Sequence, residues 1–269
     1  MTQSRYDLPP EIEVASDGPI RVITLNRPDD LNAANALLHS ALAHVWDQIA
    51  GDHDARAVVI TGSGRAFSAG GDFDLMSRML DDEQVRQTTI TEGRMMLHSL
   101  VRMPQPVVAA VNGPAVGLGC SVALMADFVI LAEDAFLADP HLQVGLAAGD
   151  GGMVFPLHVG LMRAKQAVLL GERISASQAL DWGLATSVVP KAEVLPAAMA
   201  LAGRLAGMPA AALQGTKLAL NGYVEQQLAG PFEAALAAET ASMASAEHRA
   251  IVQGLIAKAR ERASGQSPA

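Results

Sequence analysis

Short apolar runs alternate with amphipathic stretches over the first two-thirds of the chain. Residues 20–25 (IRVITL), 57–61 (AVVIT) and 107–111 (VVAAV) are rich in β-branched residues and end at turn formers, which predicts strands. Residues 128–132 (FVILA) make a fourth. Between them, residues 35–49 place Leu38, Leu42, Val45 and Ile49 on one helical face, and residues 84–101 do the same with Ile90, Met95, Leu97 and Leu100. Strands alternating with helices predict an α/β layer architecture. Beyond about Leu195 the strand signal stops and Ala, Leu, Met, Glu and Gln dominate. Helices are expected over residues 196–206, 210–228, 232–244 and 246–263, with the tail SGQSPA fraying. The chain thus divides into a core, residues 1–195, and a helical region, residues 196–269. No low-complexity linker separates them, so they are expected to pack together.

Half of the 269 residues are hydrophobic and 17% are charged, so the chain can bury a sizeable core. The formal charge is −9, which argues against a nucleic-acid partner. One cysteine, Cys120, allows no intrachain disulfide and fits a reducing compartment. The opening MTQSRYDLPPEIEV has acids and prolines where a secretory signal has an apolar run. The longest apolar stretch, residues 122–132, is short and is broken by Asp127. The expectation is a cytoplasmic protein with no membrane partner.

Three glycine-rich segments carry the candidate chemistry. TGSGRAFSAGGD (61–72) follows a predicted strand and leads into a helix near Asp72. NGPAVGLGCS (112–121) also follows a strand and opens an apolar helix. The first turn of a helix presents unpaired N–H groups at the positive end of its dipole. Two such loops can aim two amides at one oxygen, and each donor to a developing oxyanion is worth ~3–4 kcal/mol. ADPHLQVGLAAGDGG (138–152) sets an imidazole, His141, nine residues before a carboxylate, Asp150. Near its ordinary pKa of about 6.5 an imidazole suits proton transfer. The plainer alternative makes His141 a surface or cap residue and Asp150 the cap of the next helix. No HExxH or CxxC spacing points to a metal, and no GxGxxG follows the first strand to hold a nicotinamide.

Taken with LNRP (25–28), LNA (31–33), PVVAAVNG (106–113), AD (126–127), LGERISA (170–176) and ALDWGL (179–184), these segments resemble the crotonase (enoyl-CoA hydratase/isomerase) superfamily over almost the whole chain. The resemblance implies a spiral ββα core with a C-terminal helical trimerisation region, assembling as a homotrimer or a hexamer. It implies an acyl-CoA thioester as substrate, so that coenzyme A enters with the substrate and no separate cofactor is needed. By motif position, the backbone amides of Gly71 and Leu118 form the oxyanion hole. Ala33, Ala69, Gly70, Asp72, Gly117 and Ser121 belong to the substrate site.

The chain departs from the family's hydratases at both of their glutamates. Ser121 and His141 stand at those two positions, and a serine cannot act as a carboxylate base. His141 and Asp150 are the catalytic candidates that remain. Their segment is similar to that of 6-oxocamphor hydrolase, a relative that cleaves a carbon–carbon bond in a β-diketone. Gly117-Leu118-Gly119 keeps the loop usual for thioesters. Three readings follow: an enoyl-CoA hydratase or isomerase, a β-dicarbonyl hydrolase, and an acyl-CoA-binding protein without turnover. Arg27, Arg65, Lys258 and Arg260 are candidate partners for the coenzyme phosphates, although Asp29 replaces a basic position of the family. Met79, Met95, Met96, Met103 and His98 could face an acyl pocket or the core.

Overall fold

The computed structural model describes residues 6–263, so the tail expected to fray lies outside the described residues. Its frame is a six-stranded sheet. In chain order the strands are β1 (Ile12–Asp17), β2 (Ile20–Leu25), β3 (Ala57–Gly62), β4 (Val107–Val111), β5 (Ala115–Val116), β6 (Phe128–Ala132), β7 (Phe136–Ala138), β8 (Ile174–Ser175) and β9 (Ser187–Val189). The large sheet runs β1-β2-β3-β4-β6-β9, and β5-β7-β8 form a smaller one. β1 pairs antiparallel with β2, and every other pair in the large sheet is parallel. Each residue of β3 and β4 is buried. Strands covered on both faces read as continuous apolar runs, which is why their bounds could be predicted closely.

The helices are α1 (Ala36–Ala50), α2 (Phe73–Asp81), α3 (Glu83–Arg102), α4 (Leu118–Met125), α5 (Phe155–Leu170), α6 (Ala176–Trp182), α7 (Val194–Ala206), α8 (Ala210–Leu228), α9 (Pro231–Met243) and α10 (Ala246–Ala263). Asn35 caps α1 by accepting from the Leu38 amide at 2.9 Å, and the predicted face of Leu38, Leu42, Val45 and Ile49 is buried. Helix α7 lies across β3, β4 and β6. Among the described residues no single helix is long and apolar enough to cross a membrane.

Two ion pairs, one buried and one half-buried, fix the frame. Arg21 on β2 meets Asp52 beyond α1 at 2.7 Å, and the Tyr6 hydroxyl donates to the same Asp52 oxygen at 2.6 Å. Lys217 of α8 meets Asp127 at 2.6 Å and donates to the Gln105 carbonyl at 2.8 Å, which ties the helical region to the core. Burial pulls the Lys217 pKa down even though Asp127 opposes it. His248 on α10 adds a bond to the Val144 carbonyl at 2.6 Å.

Candidate active site

The first two glycine loops are sewn together. The amides of Phe67 and Ser68 both donate to the Pro114 carbonyl at 3.1 Å, and the Val116 amide donates to Ser68 at 2.9 Å. The Gly117 amide continues the seam by donating to the Ala138 carbonyl at 2.9 Å, which brings in the third loop. This needs glycine at two points. Gly70 has φ 91° and a Cβ there would sit 2.9 Å from the Val116 carbonyl oxygen; Gly117 has φ 51°.

The seam leaves two amides without an acceptor. Ala34 bridges to the first loop through the Gly70 carbonyl and the Asp72 amide, which passes over the N–H of Gly71. Leu118 is the first residue of α4, where an N–H has no partner within the helix. Among the described residues neither amide makes a hydrogen bond. Gly71 and Leu118 line one cavity of about 250 Å³, and Ala69, Gly70, Asp72 and Gly117 line it with them. Its walls are otherwise largely apolar, with Leu75, Met76 and Met79 from α2 and Met243 and Leu255 from α9 and α10. A larger space of about 400 Å³ lies under α8 around Lys217, away from both amides.

His141 stands in this cavity at the centre of three carboxyl groups. Its Nδ1 is bonded to Asp139 Oδ1, and its backbone amide donates to the same oxygen at 3.3 Å. On the other side of the ring, Nε2 lies 3.5 Å from Asp150 Oδ1 and 4.0 Å from Glu239 Oε1. Burial alone would lower the His141 pKa; the hydrogen bond to Asp139 and the charges of Asp139, Asp150 and Glu239 push it up to about 10. At neutral pH the ring is therefore an imidazolium. This corrects the expectation of an imidazole near its ordinary pKa. Glu239 moves the other way from an ordinary carboxyl: burial first, then the charge of Asp150, raise it to about 8, although His141 opposes the rise.

The remaining expected residues fall as follows. Asp150 accepts from the Gly151 amide, while α5 begins later with Val154 before it and no side-chain cap. Asp150 therefore does not cap that helix. Ser121 does not line the cavity. Its hydroxyl donates back to the Gly117 carbonyl at 3.1 Å, and its side chain fills the space beside Gly151. Ala33 lies in an outer groove with Arg65, and this groove shares Ala69, Gly71, Asp72 and Phe73 with the cavity. Arg27 is engaged by Asp30 at 2.7 Å and Asp72 at 2.9 Å. Lys258 and Arg260 are exposed on α10. Of the methionines, Met79 lines the cavity, while Met96 and Met103 are buried in the core. His98 packs edge-on to Phe232 and is not in the cavity wall.

Asp139, Glu239 and a second imidazole, His39, were not singled out by the sequence. His39 of α1 lines the cavity and meets Glu92 of α3 at 2.7 Å. Glu239 did leave a trace. It shares the buried face of α9 with Phe232, Leu236 and Met243, so a carboxylate sits in an apolar stripe.

Comparison with known proteins agrees with this architecture. The family model described as enoyl-CoA hydratase/isomerase matches residues 16–263. The chain belongs to this family, the crotonase superfamily. It is 36% identical to a probable enoyl-CoA hydratase of Rhodobacter capsulatus, over 89% of this chain and 92% of that protein. It is 32% identical to the 1,2-epoxyphenylacetyl-CoA isomerase of Escherichia coli, with the same two coverages of 89% and 92%. Among solved structures, an enoyl-CoA hydratase/isomerase from Mycobacterium paratuberculosis superposes with a TM-score of 0.90 at 47% identity, covering 93% of this chain and 100% of that one.

Proposed function

We propose that the chain forms the enolate of an acyl-CoA thioester and moves the double bond of an enoyl-CoA. The observation that carries this reading is the pair of unpaired amides, Gly71 and Leu118, on a cavity that also holds Asp150 and His141. A thioester carbonyl between the two amides becomes more negative as its α-proton leaves. Donors already in position then lower the barrier by ~3–4 kcal/mol each. Asp150 is the base that takes the α-proton. His141, held as an imidazolium by Asp139, supplies the positive charge beside that carboxylate. The coenzyme arm leaves along the outer groove past Ala33 and Arg65, and no cofactor is required beyond the coenzyme A of the substrate.

Isomerisation is favoured over hydration because Ser121 and His141 stand where a hydratase needs its two glutamates. The test is a 3-enoyl-CoA thioester in deuterated water. Deuterium should enter at the α-carbon, and the 2-enoyl product should form. Binding of the thioester with no α-exchange overturns the reading and leaves an acyl-CoA-binding protein.

A second reading, hydrolysis of a β-dicarbonyl carbon–carbon bond, is favoured by the 3.5 Å approach of His141 to Asp150. Turnover of a cyclic β-diketone, with none on thioesters, would select it.

Self-association into a trimer, or a pair of trimers, fits the apolar residues exposed on α5 and α8. Met162 is 83% exposed, Leu161 66% and Tyr223 70%. A monomer by light scattering would contradict it.

A further inference from the structure

Among the described residues, the helical region reaches into the cavity at one polar point, Glu239 on α9. We propose that Glu239 is a second catalytic acid–base group, which delivers the proton to the γ-carbon after Asp150 has taken one from the α-carbon. This deepens the isomerase reading and rests on it.

The position is a built one. Glu239 is 95% buried, with a relative exposure of 5%, yet it lines the cavity, and its Oε2 makes no hydrogen bond. A buried carboxyl oxygen without a partner costs far more as a charged carboxylate than as the neutral acid, so the site favours the protonated form. The groups facing it are Asp139 and His141 from the turn after β7 and Asp150 from the third glycine loop. Burial and the two aspartates push its pKa up to about 8, so at neutral pH it has a proton to give. His141 Nε2 lies between the two carboxyls, 3.5 Å from Asp150 and 4.0 Å from Glu239.

The step balances. The Cα–H bond breaks and its proton forms an O–H bond on Asp150, while the electron pair delocalises over the thioester and the double bond. The Glu239 O–H bond breaks, its proton bonds to Cγ, and the double bond settles between Cα and Cβ. His141 then gives its Nε2 proton to the Glu239 carboxylate and takes the proton from Asp150. Both carboxyls and the imidazolium return to their starting states, and no other reagent is consumed.

The experiment compares the wild type with Glu239→Gln on 3-hexenoyl-CoA in deuterated water, reading α-exchange and isomerisation separately. Isomerisation should fall by about 100-fold or more, as expected for loss of a general acid, while exchange falls by less than about tenfold. In the wild type the isomerisation rate should also decline above pH of about 8, and this limb should vanish in the variant. Isomerisation within about threefold of wild type overturns the proposal, as does an equal fall of exchange and isomerisation. A wild type that isomerises with no alkaline limb also overturns it, even if the variant does not fold. A wild type with no exchange at all overturns the enolate reading itself, and this proposal with it.

Discussion

The carboxylate of Glu239 occupies the space that a side chain at Gly149 would need. A Cβ built there lies 2.2 Å from Glu239 Oε2 and 2.9 Å from its Cβ. The glycine before Asp150 is thus explained by a residue on a helix far along the chain. Gly149→Ala should displace Glu239 from His141. The expected cost is about 1–3 kcal/mol in stability from overpacking. Isomerisation should fall at least about tenfold, or ~1.4 kcal/mol. Thermal unfolding and steady-state rates on a 3-enoyl-CoA check both.

Asp150→Asn keeps the shape of the side chain and removes the carboxylate proposed as the base. It should lower kcat by at least about tenfold and suppress α-exchange with isomerisation. A folded Asp150→Asn protein with unchanged kcat rules out Asp150 as the base.

Stability should fall as the solution becomes alkaline. His141 has its pKa raised from 6.5 to about 10, so its contribution is fully present below 6.5 and is lost as pH rises through about 10. Glu239, raised from 4.5 to about 8, gives the same sign in a lower window. In each window the folded chain keeps a proton that the unfolded chain has released, so rising pH favours unfolding. Melting temperatures measured from neutral pH to about 10 should drop more steeply in the wild type than in His141→Gln. Parallel curves would contradict the raised pKa.

Asp52 has the opposite sign. Burial alone would raise its pKa, but bonds from Tyr6 and Arg21 hold it down at about 2, below the ordinary 3.8. Its contribution is present above 3.8 and is lost as pH falls through about 2. Asp52→Ala would leave the Arg21 guanidinium buried without its carboxylate. The expected loss is about 3–5 kcal/mol, or roughly 10 °C in Tm. A calorimetric scan near neutral pH measures it.

The parts legible in the sequence were those whose signal is local. β4 could be read residue for residue because a parallel strand buried on both faces is an unbroken apolar run, and β2 because its β-branched residues alternate with Arg21 and Thr24 up to a turn. β1 (IEVASD) was missed because it is a largely exposed edge strand, polar at Glu13, Ser16 and Asp17. β5 and β8, two residues each, and the three-residue β7 are too short to show a period. The two glycine loops were visible as local runs of small residues, but the choice of the Gly71 and Leu118 amides within them came from motif position in the family the chain resembles. The carboxyl cluster was only half visible. His141 and Asp150 share a segment, whereas Glu239 joins them only once α9 has docked. Asp139 carries no signal of its own in the sequence, although its bond to Nδ1 is the largest of the interactions that keep the ring charged.

One wall of the cavity, with Glu239, Met243 and Leu255, comes from the last two helices. A nascent chain that has laid down all of its strands therefore still has an open-sided pocket, exposed to water and short of one carboxyl group. The chamber closes only once α9 and α10 have docked, so truncation at the end of the sheet discards part of the cavity wall itself.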